Sequence, residues 1–372
     1  MSEYQCYEFV ALDKPLTSKQ MAALRAISTR AEISPTRFWN EYEWGDLKAD
    51  AAKLVERYFD AHLYVARWGT HRLMLRAPVA RVDAKRLRAY FTSDAATARV
   101  AGQHLIVDLH SEDEGADDYE EGESSLATLA PLRAELMRGD LRVAYLAWLL
   151  AVRADGISER TVEPEVPPGL SELTAPQKAM VEFLRIDEDL ISAAAEGSGQ
   201  PSDDRAAMRK WALALPPRAK DEWLRRAIDA PDLALGGELL RAFRAGAKLA
   251  PRLAGRRTVA QLLAGAEKHR GQRERAETAR AEKAKRAAEA ARTKRLEALA
   301  KRVDEAWAKL EALVAGSAYE EAVKLASDLR DLAKRDGASA SFGRRFEAMR
   351  KRQLRRRGFF DRWKRENEPR RW

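Results

Sequence analysis

Helix-forming residues occupy most positions of residues 258–315, which predict one long helix. Ala, Glu, Lys, Arg and Leu dominate this stretch, which has no proline, and these residue types are the strongest helix formers. Thr258 and Gln261 have the spacing of a capping box, in which each side chain binds a backbone N–H at the start of a helix. Gly316 is suited to the left-handed conformation that ends many helices. An uninterrupted helix of this length would extend about 87 Å.

The apolar pattern changes along this predicted helix. Residues 273–294 have no apolar stripe other than alanine, which is typical of a helix surrounded by solvent or of a surface for a charged partner. The last part has an apolar residue at every third or fourth position: Leu296, Leu299, Val303, Ala306, Leu310 and Leu313. We call residues 296–313 the seam, because this spacing predicts packing against a second helix.

A further amphipathic pattern follows Gly316. Its apolar face consists of Tyr319, Ala322, Val323, Ala326, Leu329 and Leu332. Because the connection is short, an antiparallel helical hairpin is the simplest arrangement, and the seam is expected to pack against this neighbour. Binding of another protein by residues 296–313 is the alternative. Residues 316–372 therefore comprise the second helix of the hairpin and a basic C-terminal tail.

Residues 1–110 mix strand and helix patterns. Residues 4–12 are rich in aromatic and branched side chains, as strands are, and Thr17 with Gln20 begins a helix by a capping box. Residues 62–67 and 70–76 flank Trp68-Gly69, which predicts a β-hairpin. Strands and helices are interleaved and part of the sheet is antiparallel, so we predict an α+β domain.

The middle of the chain has two further segments. Residues 111–123 carry eight acidic groups and no basic one, which predicts a solvated acidic loop, and their spacing lacks the ligands of a calcium loop. Residues 124–255 have helical periodicity, with leucines at positions 126, 129, 132 and 136 on one face. We therefore predict a helical domain here, followed by the long charged helix at 256–315.

Charge is unevenly distributed along the 372 residues. The chain has a net charge of +9, but residues 256–372 contain 33 Lys or Arg and 18 Asp or Glu, whereas residues 1–255 contain 34 and 40. The sequence thus predicts a basic arm, net +15, on a mildly acidic body, net −6. The single cysteine indicates a reducing compartment, and the longest apolar run, 143–152, is too short for a transmembrane segment. Together with the absence of a signal-peptide pattern in residues 1–20, these features predict a cytoplasmic protein.

Catalytic motifs are absent from the sequence. It contains no P-loop, no glycine-rich dinucleotide turn and no G-x-S-x-G. One cysteine and five dispersed histidines do not make a zinc site, so no metal and no cofactor are predicted. Cys6 lies in an apolar strand and is interpreted as a small buried side chain rather than a nucleophile.

Residues 38–46 combine four aromatic side chains with three carboxylates. If the chain has an active site, Glu41, Glu43 and Asp46 are the candidates for acid–base or metal chemistry. The alternative is a strand whose aromatic side chains pack on the core and whose acids lie in water.

The basic C-terminal segment has the residue types that nucleic-acid binding requires. Its candidate residues are Arg344, Arg345, Arg350, Lys351, Arg352, Arg355, Arg356 and Arg357. Lys and Arg neutralise phosphates and release counterions, and Phe359, Phe360 and Trp363 are candidates for stacking on unpaired bases. An anionic membrane surface, or a tail that adds only solubility or binds protein, would use the same pattern. The hypothesis requires that the chain's own carboxylates leave these cations unpaired.

Three segments resemble a known family: SEYQCYEFVALDKPLTSKQMAALRAISTRAEISPTRF, NEYEWGD and YFDAHLYVARWGTHRLMLR. They are similar to the start of a bacterial protein family that has no assigned activity. The resemblance covers about the first hundred residues, and RGDLRVAYLAWLLAV and YEEAVKLASDLRDLA extend it. It implies a bacterial cytoplasmic protein and assigns no cofactor or catalytic residue.

These patterns lead to one main hypothesis and two rivals. The main hypothesis is a non-enzymatic protein that contacts nucleic acid through residues 342–372, with residues 256–295 as a second candidate surface. The first rival is an enzyme or small-ligand binder that uses residues 38–46. The second is a helical adaptor that binds another protein through the seam.

Overall fold

The chain divides into two compact units, Met1–Gln272 and Arg273–Trp372. The structure is a computed structural model, and it describes residues 4–112, 126–154, 157–199, 205–229, 235–246 and 257–367. Most of the predicted acidic loop, at positions 113–123, lies outside these ranges.

In its described residues, the first unit contains an antiparallel sheet of seven strands and a larger set of helices. The strands are β1 (Gln5–Val10), β2 (Glu32–Ile33), β3 (Arg37–Tyr42), β4 (Ala61–Ala66), β5 (Thr70–Pro78), β6 (Ala96–Ala101) and β7 (His104–Glu112). The helices are α1 (Ser18–Ile27), α2 (Ala51–Arg57), α3 (Ala84–Leu87), α4 (Leu126–Leu129), α5 (Pro131–Met137), α6 (Arg142–Ala154), α7 (Ala175–Phe183), α8 (Glu188–Glu196), α9 (Arg205–Ala214), α10 (Pro217–Asp229) and α11 (Leu235–Gly246). The predicted α+β class is confirmed.

The strands lie in the order β2-β3-β1-β4-β5-β7-β6, and every neighbouring pair is antiparallel. The predicted hairpin is confirmed as β4 and β5, and Gly69 takes a φ of 95° in its turn, which favours glycine. β6 and β7 form a second hairpin around Gly102, with a φ of 59°. β6 lies at one edge of the sheet.

Both faces of the sheet are covered by helices. Successive strand residues point to opposite faces, so Leu63 and Val65 of β4 face one way while His62 and Tyr64 face the other. Leu63 belongs to a core that includes Trp148 of α6 and continues through α7 and α8. The opposite face packs against α1 and α2. Residues 126–194 and the sheet therefore bury one common core.

A buried ionic network fixes α5 against the sheet. Asp60, 1% exposed, accepts hydrogen bonds from the backbone N–H of Leu12 (2.7 Å) and Asp13 (2.9 Å) and from Arg76 Nη2 (2.9 Å). Arg133 of α5 donates to the Asp13 carboxylate and to the carbonyl oxygen of Arg76. A buried carboxylate needs such partners because its desolvation is unfavourable.

α12 (Val259–Ala300) begins in the first unit and ends in the second. The predicted capping box at its start is confirmed: Thr258 N–H donates to Gln261 Oε1 (2.9 Å), and Gln261 N–H donates to Thr258 Oγ1 (3.4 Å). Val259, Leu262 and Ala266 are buried in the core of the first unit.

Over residues 273–367, the second unit consists of the end of α12 and four shorter helices. These are α13 (Val303–Ala315), α14 (Tyr319–Arg335), α15 (Ser339–Arg352) and α16 (Arg357–Asn367). The prediction of one uninterrupted helix to residue 315 is wrong, because α12 ends at Ala300 and a turn precedes α13. The predicted hairpin is confirmed in α13 and α14, which share a core with α15 and α16.

The seam packs inside the second unit. Leu296, Ala306 and Leu310 are buried, and they lie in the same unit as the apolar face of α14. After the turn at 301–302 the buried face of α13 consists of Ala306, Trp307, Leu310 and Val314, while Leu313 is only partly buried. The buried face of α13 differs from the predicted seam because of tertiary packing, since Trp307 also packs against Phe342 of α15. Within the described ranges, no helix combines the length and the apolar character needed to cross a bilayer.

Candidate functional site

The acidic and aromatic residues at 38–46 do not converge on one site. Phe38 is fully buried, and Asn40, opposite Tyr7 in the β1–β3 register, points to the same face. Glu41 lies opposite Cys6 and so points to the other face of the sheet. Glu43 and Trp44 are exposed in the loop that follows β3, and Trp44 is 68% accessible.

Asp46 is bound to the sheet by a tyrosine network. The Tyr7 hydroxyl donates to Asp46 Oδ1 (2.5 Å), and Tyr64 donates to Gln5 Oε1 (2.8 Å). Gln5 Nε2 in turn donates to the carbonyl oxygen of Gly45 (2.9 Å). Burial, with the hydrogen bond to Asp46 second, raises the pKa of Tyr7 above its ordinary value, and burial raises the pKa of Tyr64 to about 12.

Both phenols are therefore protonated at neutral pH and act as hydrogen-bond donors that anchor the loop after β3. Burial also raises the pKa of the Cys6 thiol to about 11, with the nearby Glu8 adding to the effect, so this thiol is neutral. The three predicted acid–base candidates, Glu41, Glu43 and Asp46, lie in three different surroundings.

The basic residues of α15 divide into two groups by their position around the helix. Phe342, Phe346 and Met349 point into the core of the second unit. Arg345 and Arg352 lie beside them, and each pairs with a carboxylate of α13. Arg345 Nη1 is 2.6 Å from Asp304 Oδ1, and Arg352 Nη2 is 2.7 Å from Glu311 Oε1.

Sequence reasoning missed these two ion pairs. Arg345 and Arg352 are seven residues apart, as are Asp304 and Glu311. Seven residues are about two helical turns, so each pair of like residues lies on one side of its helix. This matched spacing was visible in the sequence, although the packing of α15 on α13 was not.

Two more of the predicted phosphate-binding residues contact their own unit. Arg350 pairs with Glu347 (3.4 Å), and its guanidinium lies 6.0 Å from the centre of the Phe360 ring. Arg356 donates to Ser317 Oγ (2.9 Å).

The other four predicted residues are Arg344, Lys351, Arg355 and Arg357, and we call them the outward cations. All four are exposed, and none has an ion pair with any residue that the structure describes. Arg344 and Lys351 are seven residues apart on α15, opposite its buried face, and are separated by about 10 Å along the helix axis. Arg355 and Arg357 follow in the connection to α16 and at its first residue.

The aromatic residues near these cations belong to the core. Phe359 is fully buried, so the prediction that this ring stacks on a base is wrong. Trp363 is partly exposed and packs against Phe346, with ring centres 5.0 Å apart, while Arg330 lies over its ring at 5.5 Å. Base binding by Trp363 stays a prediction.

Comparisons with protein families, characterised proteins and solved structures gave no significant match. The similarity of about the first hundred residues to a bacterial family thus stays a prediction from the sequence. The geometry of this chain's own residues is the basis for a functional proposal.

Proposed function

We propose that this protein binds nucleic acid through phosphate contacts made by the outward cations, Arg344, Lys351, Arg355 and Arg357. The observation that supports the proposal is that these four cations differ from the neighbouring paired arginines in having no carboxylate partner among the described residues. Within the described residues, Arg345, Arg350 and Arg352 are bound to carboxylates, whereas the outward cations face solvent.

Phosphate binding is the chemistry that such a surface favours. Lys and Arg that neutralise phosphates release condensed counterions, so affinity decreases steeply as salt increases. Polyanion binding also fits the net charge of +15 in residues 256–372. The contact is independent of sequence, since phosphate contacts carry no base information.

The test is a binding titration with the full chain and a labelled oligonucleotide at several salt concentrations. In one variant the outward cations become glutamine: R344Q, K351Q, R355Q and R357Q. A control with the same loss of charge changes exposed lysines elsewhere in the second unit: K301Q, K309Q, K324Q and K334Q. Glutamine forms helices about as readily as Lys or Arg, so both variants are expected to fold.

We expect the outward-cation variant to reduce the slope of log affinity against log salt by about 3 to 4, since each phosphate contact contributes about 0.7 to 0.9. The lysine control should change it much less. Equal slopes in the two variants, or binding that does not depend on salt, would contradict the proposal. Truncation after residue 340 is a poor test because it removes Phe346, Met349 and Phe359 from the core.

A further inference from the structure

One stretch of α12 has no buried side chain. Residues 272–295 are all exposed, whereas Ala266 before them and Leu296 after them are buried. We call residues 273–295, which belong to the second unit, the bare helix. It extends about 34 Å at 1.5 Å per residue.

The acidic side chains of the bare helix lie on one side, which also carries Lys285, Arg292 and Arg295. At about 100° per residue, the four acidic side chains fall within one half of the helix circumference. They are Glu274, Glu277, Glu282 and Glu289. The other half carries six basic side chains and no acidic one. We call this group the basic half: Arg273, Arg275, Arg280, Lys283, Arg286 and Lys294.

The acidic half also faces α14. Arg292 and Arg295 lie on it, and they pair with Asp331 (2.5 Å) and Asp328 (2.8 Å) of α14. At this end of the bare helix the basic half therefore points away from α14.

A charged helix that serves only as a solvated spacer is stabilised by opposite charges three or four residues apart. The bare helix has seven such spacings, of which Arg273–Glu277 (3.5 Å) and Arg286–Glu282 (3.6 Å) form ion pairs. Within the basic half, however, Lys283 is three residues from both Arg280 and Arg286, and like charges at this spacing destabilise a helix. An external polyanion would relieve this repulsion.

Four members of the basic half are available for such a partner. Arg275, Arg280, Lys283 and Lys294 are exposed and make no ion pair with the part of the chain that the structure describes. The bare helix contains no aromatic residue, so it offers no platform on which unpaired bases can stack.

We infer that the basic half binds in the major groove of duplex DNA. This inference rests on the proposed function and adds a second surface and a substrate class to it. An α-helix is 10–12 Å wide with its side chains, and the major groove of B-form DNA, about 12 Å wide, admits one. The major groove of an RNA duplex is deep and narrow and excludes side chains.

The test compares three labelled ligands of equal length: duplex DNA, duplex RNA and single-stranded DNA. The full chain is compared with the variant R275Q, R280Q, K283Q and K294Q. The variant with the four lysines 301, 309, 324 and 334 changed to glutamine is again the matched control. Circular dichroism establishes that α12 remains helical in each variant.

We expect the basic-half variant to lose duplex-DNA affinity, with a salt slope reduced by about 3 to 4, and to change little toward duplex RNA and single strands. When salt increases from about 50 to about 200 mM, the unmodified chain should therefore lose roughly 100-fold more duplex-DNA affinity than the basic-half variant loses. The lysine control should keep the duplex-DNA slope.

Two results would overturn the inference and leave the proposed function standing. In the first, the outward-cation variant weakens binding but the basic-half variant behaves as the lysine control. In the second, the basic-half variant weakens duplex DNA and duplex RNA equally, which would place the contact outside the major groove. If the unmodified chain binds none of the three ligands, the proposed function fails and this inference fails with it.

Discussion

Arg257 binds both carboxylate oxygens of Glu163, with Nε 2.9 Å from Oε2 and Nη2 2.8 Å from Oε1. The Glu163 side chain is fully buried, and the hydroxyl of Tyr145 also donates to it. Arg257 further donates to the carbonyl oxygens of Ala193 (2.7 Å) and Ala194 (3.2 Å) in α8. This arginine lies two residues before α12, so the ion pair fixes the start of that helix to the first unit.

Loss of Arg257 should strongly destabilise the first unit. R257Q leaves the buried Glu163 carboxylate without its cation, which costs about 3–5 kcal/mol in free energy of unfolding. E163Q should cost less, because the Arg257 side chain is 26% exposed and can turn toward water. Urea unfolding of both variants provides the measurement.

The control for this prediction is R225Q. Arg225 pairs with Glu222 at the surface, and both side chains are more than half exposed, so its loss should change stability by less than about 1 kcal/mol. If R257Q is no more destabilising than R225Q, the buried pair does not stabilise the fold.

His62 should make the fold sensitive to mild acid. Burial lowers its pKa from 6.5 to about 3, and Nε2 has no hydrogen-bond partner among the described residues. Between these two values the unfolded chain binds more protons than the folded chain, so stability decreases as pH decreases. The slope approaches about 1.4 kcal/mol per pH unit for this one group.

The variant H62Q keeps a neutral donor for the carbonyl oxygen of Glu8, which His62 Nδ1 contacts at 2.9 Å, and removes the titration. From about pH 6.5 to about pH 4.5 it should lose about 2–3 kcal/mol less stability than the unmodified chain. H104Q is the comparison, because burial lowers the pKa of His104 too but the side chain is only partly buried. An identical pH profile for H62Q and the unmodified chain would show that His62 is not protonated on unfolding.

Paired arginines and outward cations of α15 should differ in their effect on nucleic-acid affinity. Asp304 and Glu311 already neutralise Arg345 and Arg352, so R345Q with R352Q should reduce the salt slope by less than about 1. R344Q with K351Q removes the same formal charge and should reduce it by about 2. Equal reductions in anisotropy titrations of the two double variants would mean that the ion pairs open on binding.

Phe359 should be required for the stability of the second unit. It is fully buried and packs against Phe346 and Phe360, so F359A should cost about 3–5 kcal/mol. Leu354 is 69% exposed in the connection between α15 and α16, and L354A should stay within about 0.5 kcal/mol. Thermal unfolding followed by circular dichroism compares the two, and similar midpoints would contradict this account of the core.

Elements with strong local patterns could be predicted from the sequence. The hairpin around Trp68-Gly69 and the helix that begins after Thr258 have turn and capping residues at fixed spacing, and both occur as expected. Strand β6 was missed because Ala96–Ala101 consists mainly of small residues, and its place depends on pairing with β7. Local pattern also gave no sign that α12 ends at Ala300, since no proline or glycine is present there.

The candidate site was predictable only as a set of residue types. The sequence identifies eight basic residues, but their division into paired and outward groups depends on which of them approach α13. Likewise, Phe359 and Trp363 have the residue types that stack on bases, and their contacts with Phe346 follow from tertiary packing.

At its C-terminal end the bare helix is bound to α14 by two ion pairs, Arg292–Asp331 and Arg295–Asp328. Neither the sheet core nor the α13–α16 core contains a side chain from residues 273–295. Residues can therefore be inserted or removed there, each changing the length of the helix by about 1.5 Å, without repacking either core. The length of the bare helix can thus change, by evolution or by protein engineering, without a change in either core.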